Sequence, residues 1–99
     1  MWIETTRGEL INLEHVETIN IKAIEDDALM RLEARTTSGA QITLITAAEI
    51  KNKIKKHVLE DHSMHDILKD VFDNLKNLID SGGDKVIKVH ICVGDICDL

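Results

Sequence analysis

Residues 41–50, QITLITAAEI, contain the change of hydrophobic period that decides the fold. Before Thr46, apolar and polar residues alternate, as in a strand that buries one face. After Thr46, apolar residues recur every three or four positions, as on a helix. Thr46 and Glu49 also form a capping box, with a hydroxyl at the N-cap and a carboxylate three residues later, which predicts a helix start here. The first half of the chain therefore predicts strands and the second half helices.

The segment 1–46 predicts an antiparallel β-meander of about five strands. Turn residues at positions 7–8 and 38–39 separate runs of alternating hydrophobicity, and glycine accepts the backbone conformation that tight hairpins require. In the fifth strand, the alternation places Leu44 on the inner face of the sheet and Ile45 on the outer face. A pleckstrin-homology-like half-barrel is one form that such a meander takes.

The segment 47–80 predicts one long helix or two consecutive helices. Ser63 begins a second capping pattern, but the apolar stripe runs nearly in phase across Asp61, so both alternatives stay open. The glycines at positions 82–83 end the helix. Residues 84–99 predict a C-terminal strand or hairpin that returns to a sheet. The expected fold is therefore a single α+β domain spanning all 99 residues.

Composition narrows the class of protein. The net charge of −6 argues against binding to a phosphate backbone, and 43% hydrophobic residues argue for a globular chain. The first residues contain neither a basic segment nor a long apolar run, so we expect no signal peptide, no membrane span and a cytoplasmic location. A basic cluster on the first helix is expected to be a solvated face, and nucleic-acid binding is not expected; its members are Lys51, Lys53, Lys55 and Lys56.

A histidine-rich stretch is the candidate divalent-metal site, with His57, Asp61, His62 and His65 as possible ligands. On an unbroken helix, His57, Asp61 and His65 share one face, and neighbours four residues apart can bind one ion. The outer pair lies about 12 Å apart at a rise of 1.5 Å per residue, so a site needs ligands from elsewhere. The alternative is a polar helix face without metal, and no other cofactor is expected.

Cys92 and Cys97 are the candidate disulfide. A two-residue turn at Gly94-Asp95 would make Val93 and Ile96 a flanking pair and would set the two cysteines opposite each other. Their Cα atoms would then lie about 4.5–5.5 Å apart, within disulfide range. Two free thiols are the alternative expected in a reducing compartment.

The amphipathic stripe of the second helical segment is the candidate interface. Its residues pack on the protein's own sheet or, where apolar surface is in excess, on a partner. The candidates are Ile67, Val71, Phe72, Leu75 and Leu78. The tail strand could also extend a sheet edge in its own chain or in a partner. From this apolar stripe and the tail strand we expect a homodimer or an unidentified protein partner. A charged residue at Phe72 or Leu75 separates the cases: a folded monomer indicates an interface, and unfolding indicates core.

Residues 2–19, WIETTRGELINLEHVETI, carry a resemblance. This stretch resembles the opening of small bacterial proteins and, more faintly, the flagellar FlbD-type proteins, which share a glycine turn, a Leu-Asn step and a following hydrophobic strand. The similarity covers residues 2–46, and the helical half and the cysteine-bearing tail depart from it. The resemblance implies a bacterial or phage origin and a regulatory or adaptor role, and it carries over no functional residue.

No catalytic pattern is present in the sequence. Gly82-Gly83 follows a helix instead of preceding one, which is unlike a phosphate-binding loop. Ser63 lies beside His62, but adjacency on a helix does not create a triad. The sequence therefore predicts a non-enzymatic interaction or adaptor module that self-associates. The alternative is a metal- or redox-responsive regulator that uses the histidine stretch or the cysteine pair.

Overall fold

The computed structural model describes residues 1–23, 29–83, 85–94 and 96–97. Strands and helices follow the predicted order, which confirms the α+β class. The elements are β1 (Trp2–Glu4), β2 (Leu10–Asn12), a 3-10 turn (Leu13–His15), β3 (Val16–Lys22), β4 (Arg31–Thr36), β5 (Gln41–Thr46), α1 (Ala47–Lys53), α2 (Lys56–Asp61), α3 (Met64–Ser81), β6 (Val86–Lys88), β7 (Cys92–Val93) and β8 (Ile96–Cys97).

An antiparallel meander of β3, β4 and β5 forms one sheet. Gly39, with φ of +90°, makes the turn between β4 and β5 as the sequence predicts. The expected outward position of Ile45 is wrong, because Ile45 is fully buried beside the equally buried Leu44. The register slips by one residue between Leu32 and Glu33, where Leu32 pairs with Ile45 and Glu33 pairs with Thr43. This irregularity breaks the strict alternation, so both neighbouring residues reach the core.

The first two strands belong to a different sheet, so the expected five-strand meander is divided. β1 pairs with β2 in antiparallel fashion and with β6 in parallel fashion, which gives the order β2-β1-β6. Ile3 in β1 is aligned with Ile11 in β2 and with Ile87 in β6, and all three are buried on one face. The tail therefore returns to the N-terminal sheet, and the described strands form two three-stranded sheets and a small hairpin instead of a half-barrel.

Three helices form the segment that the sequence predicted as one helix or two. The capping box at Thr46 and Glu49 starts α1 as predicted. The chain turns extended at Ile54, which buries its side chain, and again at His62. Ser63 then caps α3 by accepting the backbone N–H of Asp66 at 3.1 Å. Gly82, with φ of +63°, ends α3 in the left-handed conformation.

The long helix α3 joins the parts of the fold. It packs against β3 and β4 of the meander, against β6 of the N-terminal sheet, and against β7 of the hairpin. Its buried residues belong to one core cluster that takes in both sheets. None of the fully buried side chains in the described part of the chain is aromatic, in keeping with the presence of one Trp and one Phe in the sequence.

A network around Arg7 fastens the β1–β2 turn to the start of α1. The Arg7 guanidinium lies 3.0 Å from Glu49 and 3.2 Å from Glu9, and it also donates to the carbonyl of Thr43. Glu49 is the same residue that completes the capping box with Thr46. This charged cluster therefore links the turn of the N-terminal sheet to the meander and to the start of α1.

Candidate functional site

The outer surface of the β2-β1-β6 sheet carries a group of exposed apolar side chains. Trp2 is 42% exposed, Leu10 is 56% exposed and Val86 is 43% exposed. Side chains alternate between the two faces of a strand, and the neighbouring isoleucines all point into the core. We call the surface formed by Trp2, Leu10 and Val86 the Trp2 face.

The strand register brings these three residues together. Trp2 is directly aligned with Val86 in the neighbouring strand β6. Leu10 is aligned with Glu4, which places it diagonally from Trp2, within reach of a large aromatic ring. Glu4 also lies 3.9 Å from the Lys88 ammonium on this face. The face therefore combines three apolar side chains with the Glu4–Lys88 ion pair and with Asn12, which is aligned with Trp2.

The edge of this sheet is less suited to adding a strand. The Lys85 carbonyl accepts the Trp2 N–H at 2.8 Å, and the Val89 N–H donates to the Glu4 carbonyl at 3.1 Å. Because backbone groups alternate sides along a strand, those of Val86 point away from β1, toward the open edge of the sheet. However, β6 is short and Lys88 places a charge on it, and both features discourage edge-to-edge pairing. The apolar face, more than the strand edge, is therefore the candidate site.

The apolar stripe on α3, which the sequence made a candidate interface, packs mostly in the protein's own core. Ile67, Val71 and Leu75 are buried in the protein's own core, and Phe72 and Leu78 are half-buried against it. The Lys76 ammonium lies 5.6 Å from the centre of the Phe72 ring, which covers part of that ring. The first three residues are therefore not accessible to a partner in this fold.

The histidine-rich stretch does not form the continuous helix face that its spacing required. His57 and Asp61 lie on α2, His62 follows its end, and His65 begins a new helix. All four are exposed. Among the residues that the structure describes, no three histidine, cysteine, aspartate or glutamate side chains are grouped so that they could hold a metal ion. The break at His62 separates His65 from the other candidates, whereas His57 and Asp61 remain four residues apart on α2.

The cysteines pair across the β7–β8 hairpin in the register that the sequence predicted. Cys92 is aligned with Cys97, Val93 is aligned with Ile96, and a disulfide joins the two sulfur atoms. Gly94, with φ of +60°, supplies the turn, while Asp95 lies outside the described residues. The pairing is local, and for that reason it could be worked out from spacing alone.

A polar pocket of about 230 Å³ lies between this hairpin and α3. The Gly94 N–H donates to the Asp70 carboxylate at 2.8 Å, which fixes the turn to the helix. Cys97 reaches the pocket, so the disulfide borders it. The lining residues are Asp70, Asp73, Asn74, Asn77, Gly94 and Cys97.

Comparisons with protein families, with curated proteins and with solved structures found no match to this chain. The resemblance to FlbD-type proteins therefore stays a prediction. No helix in the described ranges has the length and apolar character needed to cross a membrane.

Proposed function

We propose that this chain is a non-enzymatic interaction module that forms a homodimer through its Trp2 face. The observation that carries the proposal is the exposure of the single tryptophan beside Val86 and Leu10, on a sheet whose other face is core. Tryptophan is among the residues most enriched at the energetic centre of interfaces. The buried α3 stripe leaves this face as the apolar surface best suited to binding.

A second copy of the chain suits this surface because the face is self-complementary in charge. It carries both Glu4 and Lys88, so a two-fold axis can bring the acid of one copy toward the base of the other. The apolar centre, formed by Trp2 and Val86, would be covered in the same arrangement. Two sheets packed face to face in this way lie about 10 Å apart.

The size of the face sets the expected affinity. Three strands spaced about 4.8 Å apart, each with three residues at a rise of about 3.4 Å, give a sheet face of roughly 150 Å². Flanking side chains add to this area, but the total stays below that of stable dimers. We therefore expect a dissociation constant on the order of 100 µM, typical of a transient assembly.

Sedimentation velocity and native mass spectrometry over about 10 µM to 1 mM bracket this constant. Trp2 is the only tryptophan, so its emission reports directly on the proposed contact. We expect a concentration-dependent shift from monomer to dimer, with a blue shift of the Trp2 emission over the same range. A chain that stays monomeric at the upper concentration contradicts the proposal.

Two leucines provide a matched pair of variants. Leu10 lies on the Trp2 face and is 56% exposed, whereas Leu29 lies outside that face and is 55% exposed. Leu10→Lys removes about 1 kcal/mol of apolar burial from each copy of the dimer, which corresponds to a roughly 30-fold weaker association. Leu29→Lys makes the same change in charge and should leave the association unchanged. Equal effects of the two substitutions would show that the Trp2 face is not the contact.

A further inference from the structure

The two sulfur atoms of the hairpin differ in accessibility. Cys92 is fully buried, whereas Cys97 is half-buried and borders the pocket beside α3. Thiol–disulfide exchange requires a thiolate to approach one sulfur along the axis of the bond, so access decides which sulfur is attacked. Of the two cysteines, Cys97 is therefore the one that a thiolate reaches from solvent without opening the core.

Two acidic side chains border that approach. Asp70 and Asp73 line the same pocket as Cys97, and the other side chains of its wall, among the described residues, are the neutral amides of Asn74 and Asn77. The Asp70 carboxylate is held in place by the Gly94 N–H, close to the turn of the hairpin. A thiolate that carries further negative charge is repelled here, and a thiolate attached to a cationic group is attracted.

We propose that the Cys92–Cys97 disulfide is a thiol–disulfide exchange site that selects thiols carrying positive charge, with Cys97 as the attacked residue. This inference does not depend on the proposed dimer, because the pocket is formed by α3 and the hairpin and does not include the Trp2 face.

The exchange proceeds in two balanced steps. The thiolate of a cationic thiol attacks the Cys97 sulfur, forms a mixed disulfide there, and the electron pair of the broken bond leaves on the Cys92 sulfur, which takes a proton from water. A second thiolate then attacks the mixed disulfide, releases the oxidised small-molecule disulfide, and leaves Cys97 as a thiol after protonation. The protein gains two electrons, and two thiols are oxidised. The reverse sequence, driven by a cationic disulfide, closes the bond again.

The hairpin geometry makes the exchange reversible. β7 and β8 have two residues each, and a ladder of this size has little stability of its own. Opening the disulfide therefore lets Cys97 leave with the bound thiol. The β7 side stays anchored, since Gly94 remains bonded to α3 and Cys92 remains in the core. The separation of five residues keeps the thiols close enough to pair again.

The test compares cysteamine, which is cationic, with glutathione, which is anionic, on the oxidised full chain. Rates of disulfide opening are followed by intact-mass spectrometry after acid quench and are normalised to the thiolate concentration of each reagent. At low ionic strength we expect cysteamine to react roughly tenfold faster than glutathione, with the ratio falling as salt is added. Peptide mapping of the quenched intermediate should locate the first adduct on Cys97.

Matched variants test the origin of the preference. Asp73→Asn removes a charge from the pocket and should bring the two rates closer, whereas Asp80→Asn makes the same change on α3 outside the pocket and should not. Equal normalised rates in the wild-type chain, or adducts formed equally on Cys92, would overturn the proposal. Disulfide opening seen only in denaturant would overturn it as well. These measurements do not depend on the oligomeric state. The exchange proposal can therefore fail while the dimer is confirmed, and the dimer can fail while the exchange proposal is confirmed.

Discussion

Replacing Leu75 by alanine tests whether the α3 stripe is core. Leu75 is 1% exposed and belongs to the buried cluster, whereas Leu78, one turn later on the same helix, is half-buried. Both substitutions delete the same atoms from the same helix. A buried leucine replaced by alanine costs about 3 kcal/mol, since it loses transfer free energy and leaves a cavity. Leu78→Ala should cost about 1 kcal/mol, because its site is already partly in water.

The assay is urea unfolding followed by far-UV circular dichroism and by the emission of Trp2. A domain of this size has a free energy of unfolding of about 5–15 kcal/mol, so a loss of 3 kcal/mol remains measurable. With a slope of about 2 kcal/mol per molar urea, Leu75→Ala should lower the midpoint by about 1.5 M, and Leu78→Ala by about 0.5 M. The apparent melting temperature should fall by about 12–24 °C for Leu75→Ala.

The outcome that refutes this reasoning is specific. If Leu75→Ala leaves the midpoint within the range of Leu78→Ala and instead abolishes dimerisation, the stripe is an intermolecular surface. A charged variant gives the same distinction more strongly, because Leu75→Asp should unfold the monomer. The wild type and the variants must be compared at a concentration where the wild type is monomeric, so that association does not add to the measured stability.

Three further predictions concern local interactions of the fold: a helix cap, a hydrogen bond and the disulfide. Thr46→Ala removes the capping box and should lower the free energy of unfolding by about 1 kcal/mol. Thr46→Ser keeps a capping hydroxyl and should retain most of that stability. Urea titration measures both variants. Asp70→Ala removes the acceptor of the Gly94 N–H, so the Gly94 amide should exchange with deuterium faster, at a cost of about 1 kcal/mol, while Asp70→Asn keeps an acceptor. The double variant Cys92→Ser, Cys97→Ser should lose about 2 kcal/mol, as expected for opening so short a loop; an unchanged melting curve would contradict this.

Features that depend on residues close in sequence could be predicted. The capping box at Thr46 needs four residues to be recognised, and the structure contains both of its hydrogen bonds. The register of the β7–β8 hairpin follows from a two-residue turn, so the facing of Cys92 and Cys97 could be derived from spacing. Gly82 ends α3 because only a residue tolerant of positive φ continues the chain there.

Features that depend on tertiary packing were predicted wrongly or not at all. Nothing in the alternation of β5 indicates the register slip that buries Ile45, because the slip is set by pairing with β4. The helix break at Ile54 likewise follows from placing one side chain in the core, not from a helix-breaking residue. The apolar stripe of α3 was identified correctly, but its period alone does not say whether its own sheet or a partner covers it.

The candidate site is itself a product of long-range pairing. Trp2 and Val86 become neighbours only because β1 and β6 pair in parallel from opposite halves of the chain. Each residue alone is one exposed apolar side chain, which is common on protein surfaces. Their alignment, with Leu10 on the diagonal, turns separate residues into a surface. Shifting β6 by one residue against β1 would turn Val86 toward the core and bring Ile87 to the outer face, since a slip of one position exchanges the two faces of the shifted strand. The register of this short parallel pair therefore determines whether Val86 joins Trp2 and Leu10 on one surface.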